Sequence, residues 1–177
     1  MAPVVRVARA ADAAACAAIY APYVRDTTIT FEEQPPDTAE MARRIAQALA
    51  THGWLVAEVE GRVLGCAYAT RFGQRAAFRW SAETSIYLAP EARGAGLGRL
   101  LYAALLDRLA ARGYRIAVAA ITQPNEASMA LHRAFGYEQV ALLPAIGFKD
   151  GAWRDVAWLQ RPLGAGPTGG VAPPEPH

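Results

Sequence analysis

The spacing of apolar positions changes from segment to segment along this chain, and those changes outline its elements. Residues 4–8 alternate and predict a short first strand. Asp12 can cap a helix running to about Tyr23, with Ile19 and Tyr23 on one face. Residues 27–33 are β-prone but lead into Pro35-Pro36, which force an extended break. Asp37 with Glu40 resembles a capping box and opens a second helix to about Thr51. Residues 54–59 and 63–72 read as two strands joined by the Glu60-Gly61 turn, the clearest hairpin signal in the chain.

Residues 73–78 read as a loop, and 80–88, rich in β-branched and aromatic residues, as a strand that Pro90 closes. In residues 99–112, Leu100, Leu101, Ala104, Leu105 and Leu109 recur at three- and four-residue spacing, the mark of an amphipathic helix. Residues 114–121 form a near-continuous apolar strand, expected to be buried on both faces. Pro124-Asn125-Glu126 start another helix that ends at Gly136; strands at about 138–146 and 152–159 enclose a loop at 147–151. The order β-α-α-β-β-β-α-β-α-β-β implies a mixed α/β fold with a central sheet flanked by helices.

Composition narrows this picture little. The 177 residues suffice for one domain, placed at 1–163; the Gly/Pro-rich tail 164–177 has no periodicity and is expected to be disordered. A net charge of +2 without any Lys/Arg run gives no footprint for nucleic acid. Cys16 and Cys66 lack metal-type spacing and are expected as reduced, buried thiols in a cytoplasmic protein. No apolar run reaches membrane-spanning length, and no charged-then-apolar leader opens the sequence.

The chemistry centres on the strand–turn–helix unit at 80–104. Gly94, Gly96 and Gly98 allow a tight turn and leave no Cβ in the way of a ligand. The N–H groups that open the following helix face that turn, which makes an anion site suited to a phosphate or pyrophosphate. A P-loop would require Gly-Lys-Ser/Thr, but Gly98 is followed by Arg99-Leu100. A dinucleotide fingerprint starting at Gly94 would require glycine at position 99. The pattern present is Arg93-x-x-Gly96-x-Gly98, which resembles the acyl-CoA pyrophosphate loop of the GNAT superfamily of N-acetyltransferases.

The element order over roughly 3–163 is similar to that superfamily as well. Three segments, 78–88, 125–137 and 147–155, resemble the phosphinothricin and methionine sulfoximine N-acetyltransferases. The resemblance implies the GNAT acyltransferase fold, usually a homodimer without a metal. It also implies acetyl transfer from acetyl-CoA to the α-amine of a glutamate-like amino acid.

Transfer to an amine needs a base, a site for the negative charge that builds on oxygen, and a departing thiolate. Glu83 is the only acid in the stretch 80–89, where desolvation would raise its pKa toward a useful base; the family carries its base at the matching position. An ion pair with Arg79 or Arg75 is the plain alternative. The resemblance places the pantetheine arm along Ile86, Tyr87 and Leu88, where a backbone N–H can also serve the oxyanion. The pyrophosphate falls on Gly94, Ala95, Gly96, Leu97, Gly98 and Arg99, with charge added by Arg93. Asn125 and Ser128 open the next helix, where the family contacts the cofactor, and both are also ordinary capping residues. His132 matches a histidine of the phosphinothricin-type enzymes where the wider superfamily has a tyrosine. Its possible roles are acid, proton relay, substrate contact or simple packing.

For the substrate, Arg75 suits a carboxylate, Thr84 offers a hydroxyl and Phe31 an apolar wall. Tyr102 aligns with a tyrosine of the family but sits on a helix face where aromatics usually pack inward. Lys149, in the 147–155 turn, is expected to shape the substrate end of the pocket. Gly73 and Phe78 depart from a lysine and a tyrosine of the herbicide-detoxifying members, which weakens recognition of a phosphinate. Neither cysteine lies in the site segments, so direct transfer in a ternary complex is expected in place of an acetyl-cysteine path. Two other functions fit parts of the pattern, acetylation of a protein N-terminus and non-catalytic acyl-CoA sensing.

Overall fold

The computed structural model describes residues 2–166, 169 and 172–177. Seven strands form one sheet in the order β1-β2-β3-β4-β5-β7-β6. They are β1 (Val4–Val7), β2 (Gly53–Val59), β3 (Arg62–Arg71), β4 (Ser81–Leu88), β5 (Ile116–Thr122), β6 (Glu138–Lys149) and β7 (Ala152–Pro162). Four helices cover it: α1 (Ala13–Asp26), α2 (Thr38–Thr51), α3 (Leu97–Ala111) and α4 (Glu126–Ala134). The mixed α/β architecture and element order are those the hydrophobic pattern implies.

One core lies on each face. Tyr20, Tyr23, Val24, Met41 and Ile45 of α1 and α2 pack on Trp54, Val56 and Cys66. Leu101, Tyr102, Leu105 and Leu109 of α3 and Met129 of α4 pack on Leu55, Ala57, Ala67, Ala69, Ala82, Ala117 and Ala119. Small alanines on the strands let the leucine-rich helix approach closely. Both cysteines are unbridged and buried.

β4 is the strand on which the site depends. Its side chains alternate between the two cores: Thr84 bonds to Tyr102 of α3, while Tyr87 packs edge-on against Tyr20 and Tyr23 of α1. β3 and β4 pair antiparallel from Gly65↔Leu88 to Arg71↔Ala82. β4 and β5 pair in parallel only at Ser81↔Ile116, Ala82↔Ala117 and Glu83↔Val118. Beyond that point they part, leaving a wedge between the end of β4 and the end of β5. The β2–β3 turn is built as expected, with Glu60 at φ 52° and Gly61 at φ 76°, the pair of positive values a two-residue hairpin turn requires.

Several boundaries differ from the sequence reading. Asp12 does not cap α1; its carboxylate accepts from the Arg9 N–H and forms an ion pair with Arg6. Residues 147–149 continue β6, so the final turn is only Asp150-Gly151, both at positive φ. Ala120 of β5 is exposed, because it faces the wedge where no neighbour covers it. At the chain end, expected to be disordered, residues 172–177 make defined contacts. Trp80 Nε1 donates to Pro174 O at 3.0 Å, Arg79 pairs with Glu175, and the His177 N–H donates to Arg112 O. Positions 167, 168, 170 and 171 lie outside the described residues.

Candidate active site

α3 begins at Gly96, which is left-handed (φ 77°) and gives the helix no side-chain cap. The first N–H groups of the helix are therefore presented to the glycine turn, as an anion site requires. This turn forms one end of a cleft of about 460 Å³ lined by Arg93, Gly94, Gly96, Gly98, Arg99, Ile86, Leu88, Asn125 and Ser128. Leu97 turns its side chain into the core and is not among the residues that line the cleft. Ala95 is exposed at the turn. Asn125 caps α4 by accepting the Ser128 N–H at 3.1 Å, so the capping reading holds while both residues also line the cleft.

Two further cleft residues were not legible in the sequence. The Tyr23 hydroxyl donates to Leu88 O at 2.7 Å and accepts from Leu88 N–H. It thereby takes up both polar groups of a residue expected to pair with the pantetheine arm; the polar groups of Tyr87 face Cys66 of β3, and the free edge of β4 there is left to Ile86. Arg93 stacks over the Tyr23 ring at 5.2 Å. Ile29, in the irregular α1–α2 connection, lines both the cleft and the wedge.

At the wedge the cleft meets a small cavity of about 50 Å³ bordered by Thr84, Ser85, Ile86, Ala119, Ala120, Ser128 and His132. His132 is buried (3% exposed). Its Nδ1 lies 2.8 Å from Ser128 O, and a carbonyl only accepts, so Nδ1 carries the ring proton. Nε2 is then a lone pair, and it is buried without a partner. Burial pushes the ring's pKa down, the Ser128 hydrogen bond opposing it. His132 is thus held neutral with an acceptor free.

Glu83 stands on the opposite face of β4 from Thr84, next to Thr70 of β3 and Val118 of β5. Among the described residues it makes no ion pair. Arg79, one partner proposed from sequence, is engaged with Glu175, and Arg75 is exposed in the loop before β4. Desolvation alone pushes Glu83 above the ordinary carboxylate range, the shift expected of a half-buried base.

The structure brings together most but not all of the remaining site residues. Phe31 lies over the backbone of Gly147, where a Cβ would come within 2.2 Å of its ring. Thr84 and Tyr102, expected to touch substrate, are buried instead (4% and 0% exposed). With Tyr137 they form a closed hydroxyl triangle with edges of 2.8, 3.0 and 2.9 Å. Lys149 is likewise buried and engaged within the protein. Its Nζ donates to Val24 O, Thr30 O and Glu32 O at 2.7, 2.8 and 3.0 Å, which uses all three ammonium protons. It ties the α1–α2 connection, with Ile29 and Phe31, to the β6–β7 hairpin.

The profile of the acetyltransferase (GNAT) family matches residues 16–137. A phosphinothricin N-acetyltransferase of Alcaligenes faecalis is 46% identical over 166 residues, which covers 93% of this chain and 84% of that protein. An L-methionine sulfoximine/L-methionine sulfone acetyltransferase of Pseudomonas paraeruginosa is 38% identical over 158 residues, covering 88% and 92%. The crystal structure of a GNAT superfamily phosphinothricin acetyltransferase from Sinorhizobium meliloti in complex with AcCoA superposes with a TM-score of 0.90 at 45% identity, covering 98% of this chain and 97% of that one. A glycine turn at an uncapped helix, a cleft leading from it to parted strands, and these likenesses converge on one conclusion: the chain is an N-acetyltransferase and belongs to the GNAT family.

Proposed function

We propose that this enzyme transfers the acetyl group of acetyl-CoA to the α-amine of a small, glutamate-like amino acid, in a ternary complex and without a metal. The observation that carries the reading is the pairing of Glu83 and His132 about the β4–β5 wedge. One is a carboxylate raised by desolvation at the last β4–β5 backbone pair, the other a neutral imidazole with a free lone pair in the small cavity that shares Ile29, Ile86, Asn125 and Ser128 with the glycine-lined cleft.

The cleft residues assign the binding roles. The α3 N-terminus with Gly94, Gly96 and Gly98 holds the pyrophosphate, and Arg93 and Arg99 add charge. Ile86 offers the strand edge along which an extended arm can pair. Acetyl-CoA supplies an activated acyl group at the wedge. Glu83 removes the proton from the incoming ammonium, and the upward direction of its pKa under desolvation suits that task. His132, as held by Ser128, accepts a proton or hydrogen bond through Nε2 and serves as a relay; in this tautomer it has no proton to donate on that side.

A homodimer is supported by an apolar strip on the β6–β7 hairpin at the sheet edge. Val140, Leu142, Ile146, Phe148 and Trp153 are 49–65% exposed there, a run that a lone soluble protein seldom shows. A cytoplasmic location fits the two unbridged thiols. Acetylation of a protein N-terminus is less well supported, because the α1–α2 connection is strapped down over the acceptor side by Lys149. The test is thiol release from acetyl-CoA with phosphinothricin, methionine sulfoximine, methionine sulfone, the common amino acids and a short peptide. Turnover of amino acids is expected. Turnover of the peptide alone would overturn the reading, and acetyl-CoA binding without any turnover would make the chain a sensor.

A further inference from the structure

Three aromatic residues at the acceptor side have no part in either core and no role so far. Phe72 follows β3, Phe78 lies in the loop before β4, and Trp158 belongs to β7. The Phe72 ring meets Phe78 edge-on at 5.4 Å and Trp158 edge-on at 5.7 Å. β4 and β5 lie between β3 and β7 in the sheet, a separation of about 14 Å. Rings from the two outer strands can touch only by reaching over the inner two.

The register shows which face they cover. Thr70, Glu83, Val118 and Gln160 stand in one row across the four strands. Trp158 is two residues from Gln160 and so shares the face of Glu83, and Phe72, just past the end of β3, lies on that face because its ring meets Trp158. Ala157 and Leu159, on either side of Trp158, point into the α3 core, which confirms the parity. The helices α1 and α2 pack on the β2–β4 part of this face, and here the rings take their place.

Gly73 is part of the same assembly. It has φ 68°, and a Cβ there would come within 2.7 Å of the Phe78 ring. The glycine makes room for the phenyl group, so the two residues act as one feature.

We propose that Phe72, Phe78 and Trp158 form a specificity-determining wall for the acceptor's side chain, and that this wall selects an uncharged, methyl-bearing side chain over an anionic one. The inference deepens the amino-acid acetyltransferase reading and rests on it. An anionic side chain laid on these rings would lose hydration without gaining a partner, and it would lie beside the Glu83 carboxylate, a like charge. The cations stand at the margins. Arg75 is exposed in the loop, Arg71 donates to Gln74 O, Arg79 is paired with Glu175, and Arg154 reaches Lys149 O near the hairpin tip. Arg75 can take the α-carboxylate that every amino acid carries. A sulfone or sulfoximine presents a methyl group to the rings and no net charge.

The test compares kcat and KM for L-methionine sulfone, phosphinothricin and L-glutamate in the wild type, Trp158→Ala, Trp158→Phe and Phe72→Leu. The wild type should favour the sulfone over both anions by roughly tenfold or more in kcat/KM. Trp158→Ala should lower kcat/KM for the sulfone about 10- to 100-fold, mainly through KM. Its effect on glutamate should stay within about threefold, so that the preference collapses. Trp158→Phe should restore most of the preference, and acetyl-CoA affinity should hold in every variant. A wild type that favours an anion, or a Trp158→Ala loss that is equal for all three acceptors and falls on kcat, would overturn this proposal alone. Absence of turnover with every amino acid would overturn the parent reading together with it.

Discussion

Thr84 Oγ1 donates to the carbonyl of Val118 at 3.0 Å, one residue beyond the last backbone pair between β4 and β5. A side chain thus continues the ladder where the strands begin to part. The hydroxyls of Tyr102 and Tyr137 complete the bonding of Thr84 from α3 and from the start of β6. The wedge therefore has a fixed apex. Thr84→Val should leave the Val118 carbonyl and the tyrosine hydroxyls short of partners in a dry site, at a cost of about 1–3 kcal/mol. The melting temperature should fall and the KM for acetyl-CoA should rise, while Thr84→Ser should retain most of both. Thermal melts with initial-rate kinetics check this.

Glu83→Gln keeps size and removes the base. It should lower kcat by roughly 10²–10⁴-fold with the Kd for acetyl-CoA unchanged. Because burial raises the folded pKa, the active carboxylate is present only above that raised value. The acid limb of kcat/KM in the wild type should therefore lie above the ordinary carboxylate range and vanish in the variant.

His132→Phe would keep the edge-on ring contacts with Tyr102 and Tyr137, now 5.1 and 5.0 Å between centroids. It removes both ring nitrogens, and with Nδ1 the hydrogen bond to Ser128 O, so stability should fall by about 1 kcal/mol. If the Nε2 lone pair accepts a proton during turnover, kcat should fall by about 10²-fold, more than that loss of stability accounts for. Unchanged kcat would assign His132 to packing.

Lys149→Met removes three charge-assisted hydrogen bonds from the α1–α2 connection while keeping a chain of similar length. Three carbonyls are left without that donor, and stability should drop by about 2–4 kcal/mol. The KM for acceptor should rise more than kcat falls, because Ile29 and Phe31 lose their support. Hydrogen exchange in residues 27–36 should speed up; if it does not, Lys149 is not the anchor.

His52 gives a separate handle on stability. Burial first, then Arg112 and Arg71, push its pKa from 6.5 down to about 4. The unfolded chain binds the proton below about pH 6.5 and the folded one only below about pH 4, so stability should climb with pH across that interval. His52→Phe, which preserves stacking on Tyr114, should flatten that slope in denaturant titrations.

The fold was legible because the periods of β2, β3, β4 and α3 are strong and local turn chemistry agrees with them. The glycine turn was legible for the same reason, since Gly94, Gly96 and Gly98 carry a backbone requirement on their face. Thr84, Tyr102 and Lys149 sit in buried hydrogen-bond networks that the sequence did not reveal, for a common cause. A polar side chain in a site segment looks available until its partners are known, and here those partners come from up to 125 residues away. Tyr23 was missed for the complementary reason. Its ring is part of the α1 core, and only its hydroxyl reaches the backbone of Leu88. The wall of Phe72 and Trp158 joins strands that are distant in sequence, which no local pattern records.

The alternation of β4 has an evolutionary consequence. In the proposed reaction, odd-numbered positions Glu83 and Ser85 serve the acceptor side, and even-numbered Thr84 and Ile86 serve the apex and the donor side. A deletion of one residue within 81–86 would exchange the two sets and bury a carboxylate among the hydroxyls of Tyr102 and Tyr137. The length of this strand should thus tolerate no change, even where its composition does. New acceptors, by contrast, can be reached by point substitution on the acceptor face, in Phe72, Phe78 or Trp158, while the donor half of the enzyme is left as it is.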